Sequence, residues 1–310
     1  MHAATLVSGG WATRSKAGYA TAVRRYLGCA RTYGFLPLPL TDQKILRFIA
    51  FMDIESLAPR TVKCYSAGLR AWVISLGYPE PVIWTPPVNL AIRAMARSAP
   101  DPILPLPITF RLLATLVAAL SPRSHDLLLA AAMCLQYFGC LRASELCADP
   151  ENGVIPLRAH VTFLVADSRR VMAYTALTSK TNPRGFTVYL GCSQNRDACA
   201  PCLMAAYFAK DPRPVSSPLF PLASGRPLTY PAYNAALKAL IQRVGLDPNR
   251  YSTHSFRAGS ATQAAQSGLS AQDIQRLGRW RSQAFQAYMR PEPVSFARFA
   301  PVLAPAHCTK

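Results

Sequence analysis

The chain has 310 residues, of which 51% are hydrophobic and 16% charged, enough apolar material for one large or two ordinary domains with a buried core, and this excludes an unfolded polyelectrolyte. Lysine and arginine outnumber aspartate and glutamate by 34 to 15, for a formal net charge of +19, and basic residues recur from Arg14 to Arg298 instead of gathering in one tail. Positive charge spread in this way suits a partner with a regular array of negative charges, because each neutralised phosphate releases condensed counterions, so nucleic acid is the expected partner.

In chain order, Tyr19, Val23, Tyr26, Leu27 and Ala30 recur at helical spacing among Lys16, Arg24, Arg25 and Arg31, which predicts a basic amphipathic helix over Thr13–Tyr33. Thr41 is placed to cap a second helix carrying Ile45, Phe48, Ile49 and Met52, and a third runs from Pro59 to a stop at Gly77. A fourth short helix is expected over Asn89–Arg97. Four prolines between Ser98 and Pro107 then predict an extended interdomain linker.

Two apolar helices follow, over Phe110–Leu120 and His125–Phe138. The run Leu127–Leu141, broken by Gln136, is shorter than the roughly twenty residues of a membrane span, so a buried helix and no membrane association are expected. A short helix is expected near Arg142. The β-rich runs His160–Val165 and Met172–Leu177, joined by a polar turn over Asp167–Arg170, and Phe186–Leu190 predict a small antiparallel sheet. Helices are then expected over Cys199–Ala209, Pro231–Val244, His254–Gln266, Ala271–Leu277 and Ser282–Met289, with a capping-box signal at Ser270 and Asp273. The fold class is therefore mainly α with a small antiparallel β-sheet.

Nine cysteines are scattered without an apolar signal region at the N-terminus, so reduced thiols inside a cell are expected. Cys192, Cys199 and Cys202 suggest zinc, but no fourth ligand has a suitable spacing and Cys199 should open an apolar helix, so no metal is expected.

The chemistry-bearing segments are Gly139-Cys140-Leu141-Arg142-Ala143-Ser144-Glu145-Leu146, then His254-Ser255-Phe256-Arg257, then Gly278-Arg279-Trp280-Arg281-Ser282, with Tyr288 eight residues beyond Trp280. Two arginine forks, Arg142 and Arg257, can bind the non-bridging oxygens of one phosphate and stabilise the charge of a pentavalent transition state. Each residue taken singly has a plainer explanation: Tyr288 as a core tyrosine, Arg142 as the ion-pair partner of Glu145, His254 as a helix cap. Their joint order and spacing carry the functional reading.

These segments resemble the motifs of the tyrosine recombinases, the phage-type integrases, over nearly the whole chain. Their wording is most similar to recombinases of Crypton and DIRS-like mobile elements. The resemblance implies a catalytic set of Arg142, Lys180, His254, Arg257, Trp280 and the nucleophile Tyr288, with Glu145 in support. It implies a site-specific recombinase that cuts and rejoins double-stranded DNA through a 3′-phosphotyrosyl bond, without metal, ATP or another cofactor. Lys180 is then the general acid for the departing 5′ oxygen, His254 assists proton transfer, and Trp280 contributes packing and an indole N–H.

The same resemblance implies a helical, SAM-like core-binding domain over residues 1–97, a linker over 98–107, an α+β catalytic domain over 108–290 and a tail over 291–310 that either docks on a neighbouring protomer or packs as a strand or helix on its own catalytic domain. The two domains would close as a C-shaped clamp, and a homotetramer would hold two DNA sites. An intracellular place with DNA, nuclear in a eukaryote, follows. The rival readings are a type IB topoisomerase, which the domain order and the "GRWRS" phrase disfavour, and a domesticated DNA-binding protein without turnover, which the complete residue set disfavours.

Overall fold

The computed structural model describes residues 13–79, 81, 83–100, 105–121, 123–166, 169–179, 182, 184–193 and 198–287. The chain divides into two compact units, Met1–Pro102 and Ile103–Lys310.

In the first unit the described helices are α1 (Thr13–Thr32), α2 (Asp42–Ile54), α3 (Pro59–Ser75) and α4 (Pro86–Ser98). Thr41 caps α2 as expected, its side chain accepting from the Lys44 N–H, and Gly77, with φ +83°, sits just past the end of α3. The apolar stripes converge on Tyr26, Phe48, Ile49, Met52, Leu69 and Ile92, and the Tyr26 ring meets Phe48 edge-on at 5.4 Å. α1 and α3 approach closely because Gly68 has no side chain: a Cβ there would lie 3.0 Å from the Ala22 Cβ.

The second unit contains α5 (Phe110–Ala118), α6 (Ser124–Phe138), three strands and then α7 (Ala200–Lys210), α8 (Tyr230–Arg243), α9 (His254–Gln266) and α10 (Ala271–Gly278). The strands β1 (Val161–Ala166), β2 (Arg169–Ala176) and β3 (Phe186–Gly191) form an antiparallel sheet in that order, with Tyr174 facing Val161 on one side and Val188 on the other. The period of two is plain in β2, where Met172, Tyr174 and Ala176 are all fully buried against the core. Arg158 is buried too: its guanidinium donates to Asp211 at 3.0 Å and lies 4.6 Å from the Phe208 ring centroid. No helix among the described residues is long and apolar enough to cross a membrane.

Two expectations need correction. Arg169 and Arg170 belong to β2 and pair with Ala166 and Val165, because the ladder continues closer to the turn than side-chain polarity suggested. The helix expected over Ser282–Met289 is, in its described part, a 3₁₀ turn over Gln283–Ala287, held by Phe285, which is buried among Ala261, Ala264 and Ile274.

Part of the expected linker is built into the second unit. Leu106 donates to the Arg250 carbonyl at 2.6 Å and Ile108 to the Ser255 carbonyl at 2.9 Å, so this stretch runs along the start of α9. Gly259 makes that approach possible: a Cβ there would sit 1.8 Å from the Ile108 carbonyl oxygen.

Candidate active site

The site begins where α6 ends. Gly139 closes the helix, Cys140 takes a left-handed conformation with φ +46°, and the chain turns so that Arg142 caps a 3₁₀ turn over Ala143–Glu145. Glu145 folds back beneath Arg142. Its carboxylate accepts from the Arg142 backbone N–H and from Arg142 Nη1, both at 2.8 Å, and from Ser179 Oγ at 2.9 Å. That carboxylate is fully buried, which is tolerable only because several charge-assisted donors replace its water.

Arg257, on the first turn of α9, is 1% exposed. It donates through Nη1 to the Cys140 carbonyl and through Nη2 to the Gly278 carbonyl, and so joins the end of α6 to the end of α10. The Trp280 ring covers its guanidinium, with the carbon centre 4.2 Å from the ring centroid. Gly278 makes room for that ring: a Cβ there would fall 1.6 Å from Trp280 Cζ3.

His254 is the first residue of α9 and keeps an exposed edge. Burial, then the Arg257 charge and the Arg142 charge, hold its imidazole below the ordinary value, which favours the neutral form. The structure thus brings Arg142, Glu145, His254, Arg257 and Trp280 together. Lys180 and Tyr288 lie outside the described residues. Ser179 and Phe285, their sequence neighbours at distances of one and three, are respectively bonded to Glu145 and buried beside Trp280.

Three participants escaped the sequence reading. Arg279 has φ +54°, past the end of α10, and its Nη2 donates to the Gly139 and Cys140 carbonyls at 3.0 Å and stands 3.7 Å from Glu145 Oε2. Its Nε is buried without a hydrogen-bond partner among the described residues. Ser179 bridges Glu145 and Arg142. Gln136, the polar interruption in α6, donates to the Thr253 carbonyl at 2.9 Å and accepts from Tyr233 Oη at 2.8 Å, tying α6 to the residue before His254. Its position inside an apolar run was the available signal.

Three guanidinium groups therefore stand against one buried carboxylate, and the surplus positive charge suits an anion. The Phage integrase family matches residues 108–293, more than half of the chain. The chain belongs to the phage integrase family. As a tyrosine recombinase it shares its fold with solved members of that group. The Tn1549 transposon integrase, in complex with transposon right end DNA, is 15% identical over 96% of each chain, with a TM-score of 0.61. The XerH site-specific recombinase bound to palindromic difH substrate is 13% identical over 92% of this chain and 79% of that one, with a TM-score of 0.67. A lambda integrase dimer bound to a COC′ core site is 17% identical over 92% and 74%, with a TM-score of 0.59. No curated protein sequence matches this recombinase significantly.

Proposed function

We propose that this recombinase cuts and rejoins double-stranded DNA at specific sites for the integration or excision of a mobile element, with Tyr288 as nucleophile. The observation that carries the reading is the convergence of Arg142, Arg257 and His254 around a buried Glu145 that fixes Arg142 from below.

In this mechanism the Tyr288 oxygen attacks the scissile phosphorus, the bond to the 5′ oxygen breaks, and a 3′-phosphotyrosyl ester forms. Arg142 and Arg257 bind the non-bridging oxygens as charge accumulates. His254 accepts the phenol proton, and Lys180 protonates the departing 5′ oxygen. Trp280 holds the Arg257 plane and supplies an indole N–H. The ester conserves the energy of the broken bond, so religation by a new 5′ hydroxyl needs neither ATP nor a metal.

Residues 1–97 serve as the core-binding domain and 108–290 as the catalytic domain, joined by 98–107. Four protomers act on two sites, and residues 291–310 dock on a neighbour. The test uses nicked suicide duplexes from the ends of the native element, with covalent adducts read on a denaturing gel. An adduct in the wild type and none in Tyr288→Phe is expected. An adduct that persists in Tyr288→Phe overturns the assignment of the nucleophile, and binding without adduct on every substrate makes the chain a non-catalytic DNA binder.

A further inference from the structure

The spacing of Cys192, Cys199 and Cys202 offers only three ligands, and on that ground no metal was expected at the sequence level. The fold gives the trio a different standing. Cys192 follows β3 directly, and its N–H donates to the Arg170 carbonyl at 3.1 Å, extending the β2–β3 ladder by one residue. Cys199 is the N-cap of α7 and Cys202 lies in the first turn of that helix. The three sulfurs lie within 4.8 Å of one another, and those of Cys192 and Cys202 are 3.6 Å apart.

Those separations fit a shared ion. A tetrahedral zinc with bonds of about 2.3 Å spaces its sulfurs about 3.8 Å apart, whereas a disulfide needs about 2.05 Å. The site is also built. Cys199 is buried at the helix start, where the unpaired backbone N–H groups of the first turn favour negative charge. Three thiolates around a divalent cation carry one net negative charge, which is favourable in a chain of net charge +19.

We propose that Cys192, Cys199 and Cys202 bind one zinc ion, with water in the fourth position, and that the ion clips the end of β3 to the start of α7. This site is separate from the recombination chemistry and does not depend on the proposed function. Loading exchanges thiol protons for the ion, so protons leave as zinc binds.

The full-length chain, purified without chelator and incubated with zinc, is expected to retain one zinc per chain by elemental mass spectrometry. Cys192→Ser/Cys202→Ser should lose it and Cys64→Ser, an exposed thiol elsewhere, should keep it. Cobalt added to the apo wild type should produce thiolate-to-cobalt charge transfer and the intense ligand-field bands of tetrahedral coordination. That measurement on the wild type stands even if the double variant misfolds. Absence of both zinc and the cobalt bands in folded wild type overturns the proposal, as does equal zinc in the double variant. A Cys192–Cys202 disulfide in the unreduced intact chain overturns it as well.

Discussion

A single methyl group at residue 278 is expected to disable the site. In Gly278→Ala the new carbon would stand 1.6, 2.0 and 2.2 Å from Cζ3, Cε3 and Cη2 of Trp280. Non-bonded carbons settle near 3.5 Å, so the indole must retreat by about 2 Å. Over-packing of this kind costs about 1–3 kcal/mol. The displaced ring also leaves Arg257, forfeiting a desolvated cation–π contact of about 1–2 kcal/mol. Together these give about 2–5 kcal/mol, or a fall of about 4–20 °C in the melting temperature of a unit of this size. The assay is thermal unfolding followed by tryptophan fluorescence, combined with adduct formation on nicked duplex, which should drop further than stability because Arg257 loses its cover. A double-mutant cycle isolates the cause: in a Trp280→Ala background Gly278→Ala should cost less than about 1 kcal/mol. An equal cost in both backgrounds would refute the steric account.

Further outcomes follow from the same contacts. Gly259→Ala places a carbon 1.8 Å from the Ile108 carbonyl oxygen, a backbone atom with nowhere to rotate, and is expected to destabilise by about 3 kcal/mol or more in denaturant titration. Gln136→Leu leaves the Thr253 carbonyl and the Tyr233 hydroxyl without their buried partner and should cost about 2–3 kcal/mol, checked by the same titration. His254 has a folded value below its ordinary 6.5, so the unfolded chain binds the proton more readily; its contribution to stability is full above pH 6.5 and is lost as the pH falls below it. Melting temperatures from pH 8 to 5 should therefore decline, and His254→Gln should flatten the decline in part, since the lowered His160 leaves a residue of the same sign. Arg142→Lys keeps the charge and loses the fork: adduct formation should fall about 100-fold or more, with the salt dependence of DNA binding unchanged.

Local patterns were sufficient for several helix bounds and caps, even for α9, which is buried on most of its sides. α9 spans His254–Gln266 as read from the sequence, and the caps at Thr41 and Ser270 both accept the expected backbone N–H. The Asp273 carboxylate, however, meets the Ser270 hydroxyl at 2.6 Å and not the backbone N–H of a full capping box. The site was legible as a set of residue types in order, but not as a set of contacts. Nothing in the neighbourhood of Gln136 announces a partner at Thr253, and Arg279 reads as one more surface cation until its left-handed backbone turns it toward Glu145. Trp280 explains Gly278, and Ile108 explains Gly259, only once segments distant in sequence lie against each other. The three cysteines stood out in the sequence, but linear spacing says nothing about a strand end returning to a helix start, which is what brings their sulfurs within 4.8 Å of one another.

The bonds that assemble the site join residues far apart in the chain: Gln136 and Cys140 reach partners 117 positions later, and Gly139 meets Arg279 across 140. Closures of that separation come late in folding because the intervening chain must be ordered first. During synthesis at about 5–20 residues per second, the Arg142 turn would leave the ribosome about 6–30 s before the segment that completes it. A growing chain thus acquires its positive charge, and with it an attraction for DNA, well before it acquires a phosphate pocket, and catalytic competence is among the last properties the molecule gains.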